Sequence, residues 1–210
     1  VVILSLWLAG GLLSLLGALT YAELATLHPQ SGGVYVFLRE AYGRCVAFVF
    51  GWSYMLVAKP LAAAGIAVVF AEHLNTLLGT SWDVRWPTIG MLALLTAINI
   101  RGVVLSAGVA TLLTGLKFAA LSAIVILPWV TGKSSVANLS GSLEPGSLAE
   151  ALVPVFAGIM WTYDGWSDVG AIAGEIKDPQ RNLPRVFVLG TLATTLLYLL
   201  VNIAFFVLIP

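Results

Sequence analysis

The chain has 210 residues, of which 60% are hydrophobic and 10% charged, and its formal net charge is zero. This composition excludes an ordinary soluble domain, and the charge balance gives no indication of a nucleic-acid partner. The single cysteine, Cys45, excludes an internal disulfide and a multi-cysteine metal site, and the two histidines lie far apart in sequence. We therefore expect a membrane protein without a bound metal, a cofactor or catalytic residues.

Six apolar segments are candidates for membrane-spanning helices, for which about 20 residues are needed. Their apolar runs are continuous rather than alternating, which favours helices over barrel strands. The predicted spans lie near residues 1–27, 45–74, 87–100, 103–130, 149–176 and 186–209. The expected fold class is a polytopic all-α membrane protein. Because the chain begins inside one apolar run and ends just after another, we expect an incomplete transmembrane domain from a longer protein.

Positive charge is divided unequally between the two sides that these spans define. Only Arg85 and Lys133 fall on one side. The other side carries Arg39, Arg44, Arg101, Lys177, Arg181 and Arg185. Short cytoplasmic loops carry an excess of lysine and arginine, so we expect the second side to be cytoplasmic and the membrane to be the plasma (cell inner) membrane.

The fifth segment is predicted to break near residues 161–167, before its span is complete. Polar residues and a glycine at membrane depth are tolerated where backbone lines a cavity or is buried in protein. Broken helices leave carbonyls unpaired, and transporters use such groups as ligands. The candidate substrate-binding residues are Trp161, Thr162, Tyr163, Asp164 and Gly165. The alternative is a kinked helix whose tryptophans only pack, with Asp164 and Asp168 capping the second half.

Two lysines lie deep in predicted spans. Lys117 follows Val103 by 14 residues and precedes Val130 by 13, so it lies near the bilayer midplane. An ammonium group at that depth should face the protein interior and have a partner, because neither membrane surface is within reach of its side chain. Lys59 is central in the second span, beside Pro60. The sequence leaves two roles open for Lys59: it belongs to a structural kink, or it lies on the permeation path.

Two long motifs resemble the amino acid–polyamine–organocation (APC) superfamily of transporters. The first is YAELATLHPQSGGVYVFLREAYG at residues 21–43, which is similar to the end of the second helix and the loop that follows. The second combines YDGW at 163–166 with GEIKDPQRNLP at 174–184, which is similar to the broken sixth helix and its loop. The pair Lys59-Pro60 and the pattern LTGLK at 113–117 resemble the L-type amino acid transporters and their bacterial relatives.

The resemblance implies helices 2 to 7 of a twelve-helix protein with a LeuT-like five-plus-five inverted repeat. It implies a secondary transporter of amino acids that works by alternating access, as an exchanger or with proton-linked uptake. The residue matching Trp161 would close over the bound amino acid, and carbonyls around Trp161, Thr162 and Tyr163 would accept its ammonium group. The residue matching Lys117 occupies the sodium position of sodium-coupled relatives, which implies sodium-independent transport.

Several alternatives stay open at this point. A polyamine or other organic-cation carrier of the same superfamily would need carboxylates in its cavity, which makes Asp164 relevant. A sodium-coupled symporter is a further possibility. A membrane enzyme is disfavoured because His and Cys are scarce, and a channel because the chain shows no filter pattern. The expected partners are an amino acid and the lipid bilayer. The resemblance implies that a single-span partner subunit would be bonded through a cysteine in the loop at 75–86. This loop has no cysteine, so no disulfide-linked subunit is expected.

Overall fold

The structure, a computed structural model, describes residues 2–131 and 145–208, and these ranges are helical apart from short connections. The α-helices are α1 (Val2–Leu27), α2 (Val34–Tyr42), α3 (Arg44–Ser53), α4 (Lys59–Leu78), α5 (Arg85–Ile100), α6 (Val103–Thr131), α7 (Pro145–Tyr163) and α8 (Pro179–Leu208). A π-helical turn, Tyr54–Ala58, joins α3 to α4, and a 3₁₀ helix, Trp166–Glu175, follows α7.

Four stretches in the described ranges are long and apolar enough to cross a membrane. They are Val2–Leu27, Arg44–Leu78, Val104–Val130 and Pro179–Leu208. The predicted third span, 87–100, falls on α5, whose 16 residues are fewer than the about 20 that a perpendicular crossing needs. The predicted fifth span, 149–176, is divided between α7 and the 3₁₀ helix. These two spans stay predictions.

The last helix, α8, begins at Pro179. The sequence predicts the end of the broken helix and its loop over residues 174–184 and a membrane span from near 186, and the bounds of that span stay a prediction. Proline is favoured at the first helical position because the missing N–H has no intrahelical partner there. The carbonyl of Asp178 accepts the N–H groups of Arg181 and Asn182, both at 3.0 Å, and so starts the helix.

The chain packs as two compact units, each described separately. Unit 1 comprises Val1–Ala41 and Phe118–Pro210, and unit 2 comprises Tyr42–Lys117. The boundary between them falls within α6. The break in the fifth predicted span therefore belongs to unit 1, while Lys59 and Lys117 belong to unit 2.

Unit 1 is built on one face of α1 that carries only small residues. This face consists of Gly10, Gly11, Ser14, Ala18, Ala22 and Ala25, all buried. A Cβ atom on Gly10 would lie 2.9 Å from Cγ2 of Ile159 in α7, and one on Gly11 would collide with Thr195 in α8. Small residues let helix backbones approach closely in membranes, where packing rather than water exclusion drives helix association. The small face thus brings α7 and α8 onto α1.

A compact core forms where the second half of α1, the 3₁₀ helix and the start of α8 meet. Its buried members are Ala18, Ala22, Ala25, Ala173, Leu183 and Phe187, each no more than 4% exposed. Tyr21 stacks edge-to-face on Phe37 and Trp166, with ring centroids 5.7 and 5.0 Å apart. This core anchors the segment that follows the break.

In unit 2, the long helix from Arg44 to Leu78 contains one π-helical turn. The N–H of Lys59 donates to the carbonyl of Tyr54, five residues earlier. Pro60 has no N–H to continue the ordinary i to i−4 ladder, so a local change of register is expected beside it. The Lys59 ammonium lies 5.0 Å from the centroid of the Tyr54 ring, a cation–π contact.

Candidate functional site

Helix α7 ends at Tyr163, and the backbone turns at Asp164 and Gly165. The Asp164 N–H donates to the carbonyl of Trp161 at 3.2 Å, which closes the last turn of the helix. Gly165 has a φ of 113°, in the left-handed region that favours glycine. The turn lies within the predicted interval 161–167. Glycine is the residue that lets the chain leave α7 in a new direction.

The segment after the turn is a 3₁₀ helix of 10 residues, Trp166–Glu175. Such helices rarely exceed three or four residues, because their hydrogen bonds are poorly aligned, and longer ones often mark functional hinges. The sequence predicts that Asp164 and Asp168 bond free amides at the start of this second half-helix. Gly165 is at its cap position, and the role of the two carboxylates stays a prediction.

The carbonyls at the end of α7 are partly satisfied within unit 1. Trp161 O accepts the Asp164 N–H, and Thr162 O accepts the Tyr198 hydroxyl at 3.2 Å. The Thr162 hydroxyl donates back to Gly158 O at 2.9 Å. A carbonyl oxygen has two lone pairs, so each of these two oxygens keeps the capacity to accept one more donor. The carbonyls of Trp161 and Thr162, which are predicted to bind the substrate's ammonium group, therefore already have one hydrogen-bond partner each.

Tyr163 is fixed in an aromatic cluster with Trp7 of α1 and Tyr198 of α8. The three ring pairs are edge-to-face, with centroids 5.7, 5.4 and 5.3 Å apart. The Tyr163 hydroxyl donates to the carbonyl of Trp7 at 3.0 Å, and the residue is only 5% exposed. Its side chain therefore has a packing role, which leaves the backbone as the part of Tyr163 available to a ligand.

Trp161 lies in the opposite environment, with 64% of its surface exposed. It is absent from the walls of the cavity beside the break, although its neighbours Thr162, Tyr163, Asp164 and Gly165 line that cavity. The structure thus brings four of the five predicted residues to one cavity, and Trp161 is not among its walls.

The cavity lies between the break and α8 and has a volume of about 310 Å³. Its other walls are formed by Trp166, Val169, Val186, Phe187, Gly190, Thr191, Thr194 and Tyr198. This volume is at the lower end of the range for small-molecule sites, about 300–1,000 Å³. The Asp164 carboxylate and several hydroxyl groups give the walls hydrogen-bond acceptors, and an ammonium group can only donate hydrogen bonds.

Sequence reasoning missed the contribution of Trp7 and Tyr198 to this site. The bonds that join them to the break connect residues 156 and 36 positions apart. Both residues lie in continuously apolar helices, where an aromatic side chain ordinarily indicates lipid contact or core packing. No local pattern in the sequence distinguishes them.

The predicted lysines lie in unit 2. Lys117 is exposed on α6, and Lys59 contacts Tyr54 at the π-helical turn. The predicted roles of Lys117 at the sodium position of sodium-coupled relatives and of Lys59 on the permeation path stay predictions. Among the residues that the structure describes, no cluster of three or more His, Cys, Asp or Glu side chains could hold a metal ion.

A sequence profile of amino acid permeases matches residues 1–210. The chain belongs to the amino acid permease family. This assignment confirms the resemblance to the APC superfamily and the all-α membrane fold class. It also places this permease chain among integral membrane transport proteins and not among enzymes.

Individual relatives agree with the L-type branch. The permease chain is 33% identical to the b(0,+)-type amino acid transporter 1 of Mus musculus over 210 residues, which cover 97% of the chain and 43% of that protein. It is 31% identical to the serine/threonine exchanger SteT of Bacillus subtilis over 201 residues, or 94% of the chain and 45% of SteT. It is 28% identical to the cystine/glutamate transporter of Homo sapiens over 214 residues, or 97% and 42%. The chain thus spans less than half the length of these relatives.

Proposed function

We propose that this chain is part of a secondary transporter that carries amino acids across the membrane by alternating access, through exchange or proton-linked uptake. The observation that supports it most is the break at the end of α7, where Thr162, Asp164 and Gly165 line a cavity of about 310 Å³. The names of the relatives, two transporters and an exchanger of amino acids, support the substrate class.

The end of α7 suits the ammonium group of an amino acid. A helix carboxyl end carries a partial negative charge, so a cation there is favoured electrostatically. The carbonyls of Trp161 and Thr162 each keep one free lone pair, and the Asp164 side chain is exposed at the same place. In this proposal the Trp161 ring, which is exposed and lies outside the cavity walls, moves over the cavity when substrate is bound.

The proposal includes six spans near 1–27, 45–74, 87–100, 103–130, 149–176 and 186–209. The described helices support four of them by length and composition. We further propose a plasma-membrane location, with the arginine-rich loops in the cytoplasm, from the unequal distribution of positive charge. The 75–86 loop has no cysteine, so the proposal contains no subunit joined there by a disulfide.

A competition panel tests the substrate class. The full-length protein that contains this chain is reconstituted in proteoliposomes, and the twenty amino acids and common polyamines compete for uptake of a labelled amino acid. We expect a subset of amino acids to compete and polyamines to fail. Uptake blocked by polyamines alone would instead support an organic-cation carrier, a second candidate that the exposed Asp164 carboxylate favours.

A further inference from the structure

One wall of the cavity beside the break is formed by a single face of α8. Val186, Gly190 and Thr194 line the cavity, and residues four apart on an α-helix lie one above the other on the same face. Val186 and Gly190 are exposed, and Thr194 is partly buried. This face therefore has a position without a side chain at its centre and a hydroxyl group one turn further along the helix.

The packing of unit 1 does not require a glycine at position 190. A Cβ atom on Gly190 would meet no heavy atom of the described chain within 4 Å, whereas one on Gly11 would collide with Thr195. Gly190 also lies well inside α8, and glycine is among the least favourable residues in a helix interior. What Gly190 provides is open volume in the wall of the cavity.

The hydroxyl of Thr194 differs from those of the other two threonines in α8. Thr191 donates to the Phe187 carbonyl at 2.7 Å, and Thr195 donates to the Thr191 carbonyl at 2.8 Å. Threonine in a helix commonly bonds the carbonyl four residues earlier in this way. Within the described ranges the Thr194 hydroxyl has no such partner. A hydroxyl group can donate one hydrogen bond and accept two, so Thr194 keeps this capacity for a molecule in the cavity.

The remaining walls limit the size of that molecule. Phe187 is 1% exposed and belongs to the buried core, and Trp166 stacks edge-to-face on Tyr21. The Tyr198 hydroxyl donates to the Thr162 carbonyl at 3.2 Å. Side chains packed to this density move only when their neighbours move as well. The cavity of about 310 Å³ therefore has fixed walls on the side of the core.

Charge sets a second limit on the molecule. Among the described residues that form the walls, only Asp164 is charged, and it lies at the break, where the ammonium group of the substrate is proposed to bind. The face of α8 offers a hydroxyl group and no charge. A charged side chain placed against this face would have no partner of opposite charge, which is costly away from water.

We propose that this face of α8 binds the side chain of the transported amino acid, and that Gly190 and Thr194 determine which side chain is accepted. Gly190 leaves room for its carbon atoms, and the Thr194 hydroxyl forms a hydrogen bond with its polar atom. The preferred substrates are then amino acids with a short, neutral side chain that carries a hydrogen-bonding group. This inference rests on the proposed transport function and names the substrate class of the same cavity.

Competition by serine, alanine and leucine in proteoliposomes of the full-length protein tests this preference. The inhibition constants are measured against uptake of one labelled amino acid. We expect serine to compete about fivefold better than alanine, because of one hydrogen bond, and alanine about tenfold better than leucine, because of size. Equal competition by all three, or a preference for leucine, would overturn the inference and leave amino acid transport intact. Failure of the wild-type protein to take up any amino acid would overturn the proposed transport function, and this inference with it.

Two variants assign the preference to α8. Thr194→Val keeps the shape of the side chain and removes the hydroxyl group, so it should lower the preference for serine over alanine by about fivefold. Gly190→Ala adds one methyl group to the wall, so it should weaken competition by threonine about tenfold more than competition by glycine. The matched controls are Thr195→Val, a neighbouring threonine outside the cavity walls, and Gly65→Ala, an equally open helical glycine in unit 2. Both controls should leave these ratios unchanged.

The outcomes separate a role in specificity from a role in packing. If Gly190→Ala weakens competition by every substrate to the same extent, the gap accommodates a neighbouring helix of the full-length protein, and the inference is wrong. A preference for serine that survives Thr194→Val would also overturn it. If Gly190→Ala does not give folded protein, Thr194→Val alone decides, because valine has nearly the shape of threonine.

Discussion

Trp161 and Tyr163 lie two residues apart at the end of α7, yet their side chains are in opposite environments. Trp161 is 64% exposed, whereas Tyr163 is 5% exposed and packs between Trp7 and Tyr198. Substitution at the two positions should therefore separate function from stability. The sequence placed both in one candidate site and did not indicate that one side chain is exposed and the other buried.

We predict that Trp161→Ala lowers amino acid uptake by about tenfold or more without lowering the thermal stability of the protein, because the ring makes few contacts in unit 1. Tyr163→Phe should instead lower the free energy of unfolding by about 1 kcal/mol, because it removes the bond to the Trp7 carbonyl. Proteoliposome uptake and thermal unfolding in detergent measure the two effects. Trp161→Phe, which keeps an aromatic ring, is the control. Equal destabilisation by both changes would contradict the assignment.

Residue types indicated where to expect a break but not its structure. Thr162, Asp164 and Gly165 are conspicuous in an apolar segment, which is why the sequence predicts a break within 161–167. The hydrogen bonds of the Tyr198 hydroxyl and the Trp7 carbonyl could not be predicted, because they depend on how three helices are rotated against one another. Helices that are apolar on every side carry little pattern from which to derive that rotation.

At the scale of elements, the close approach of α1 and α8 depends on Gly11. We predict that Gly11→Ala destabilises the protein by about 1–3 kcal/mol, because the new methyl group collides with Thr195 and the helices must separate. Thr195→Ala should recover part of this loss in the double variant, which a double-mutant cycle of thermal unfolding measures. Gly65→Ala in α4, where the described chain leaves open space, is the matched control. Additive effects of Gly11→Ala and Thr195→Ala would contradict the contact.

The elements themselves were predicted with uneven success for physical reasons. The continuous apolar runs indicated the helices correctly, because twenty apolar residues in lipid must satisfy their backbone internally. The π-helical turn before Lys59 and the 3₁₀ helix from Trp166 to Glu175 were not predicted. Both differ from an α-helix only in which carbonyl each N–H reaches. Tertiary contacts, such as the hydrogen bond from the Gly32 N–H to the Ala171 carbonyl, influence which carbonyl each N–H reaches. Residue propensity alone does not predict that pattern.

At the scale of the whole molecule, the described chain holds only part of what transport requires. None of the most apolar window of α6 is buried, and the relatives are more than twice as long as the aligned region. The prediction that Lys117 faces the protein interior therefore applies to the full-length protein. Its test must use that protein and must separate the charge of Lys117 from the shape of its side chain.

We predict that the full-length protein transports amino acids equally well in sodium and choline buffers, because the Lys117 ammonium supplies the positive charge that a sodium ion would otherwise provide. Lys117→Ala should lower uptake by about tenfold or more, since a charge deep in the membrane is retained only where it has a partner. Lys117→Arg keeps the positive charge. Recovery of uptake with arginine would indicate that a positive charge is sufficient at this position, whereas loss of uptake in both variants would indicate that the lysine side chain itself is needed. Strict sodium dependence of the wild-type protein would reject the role of Lys117 altogether.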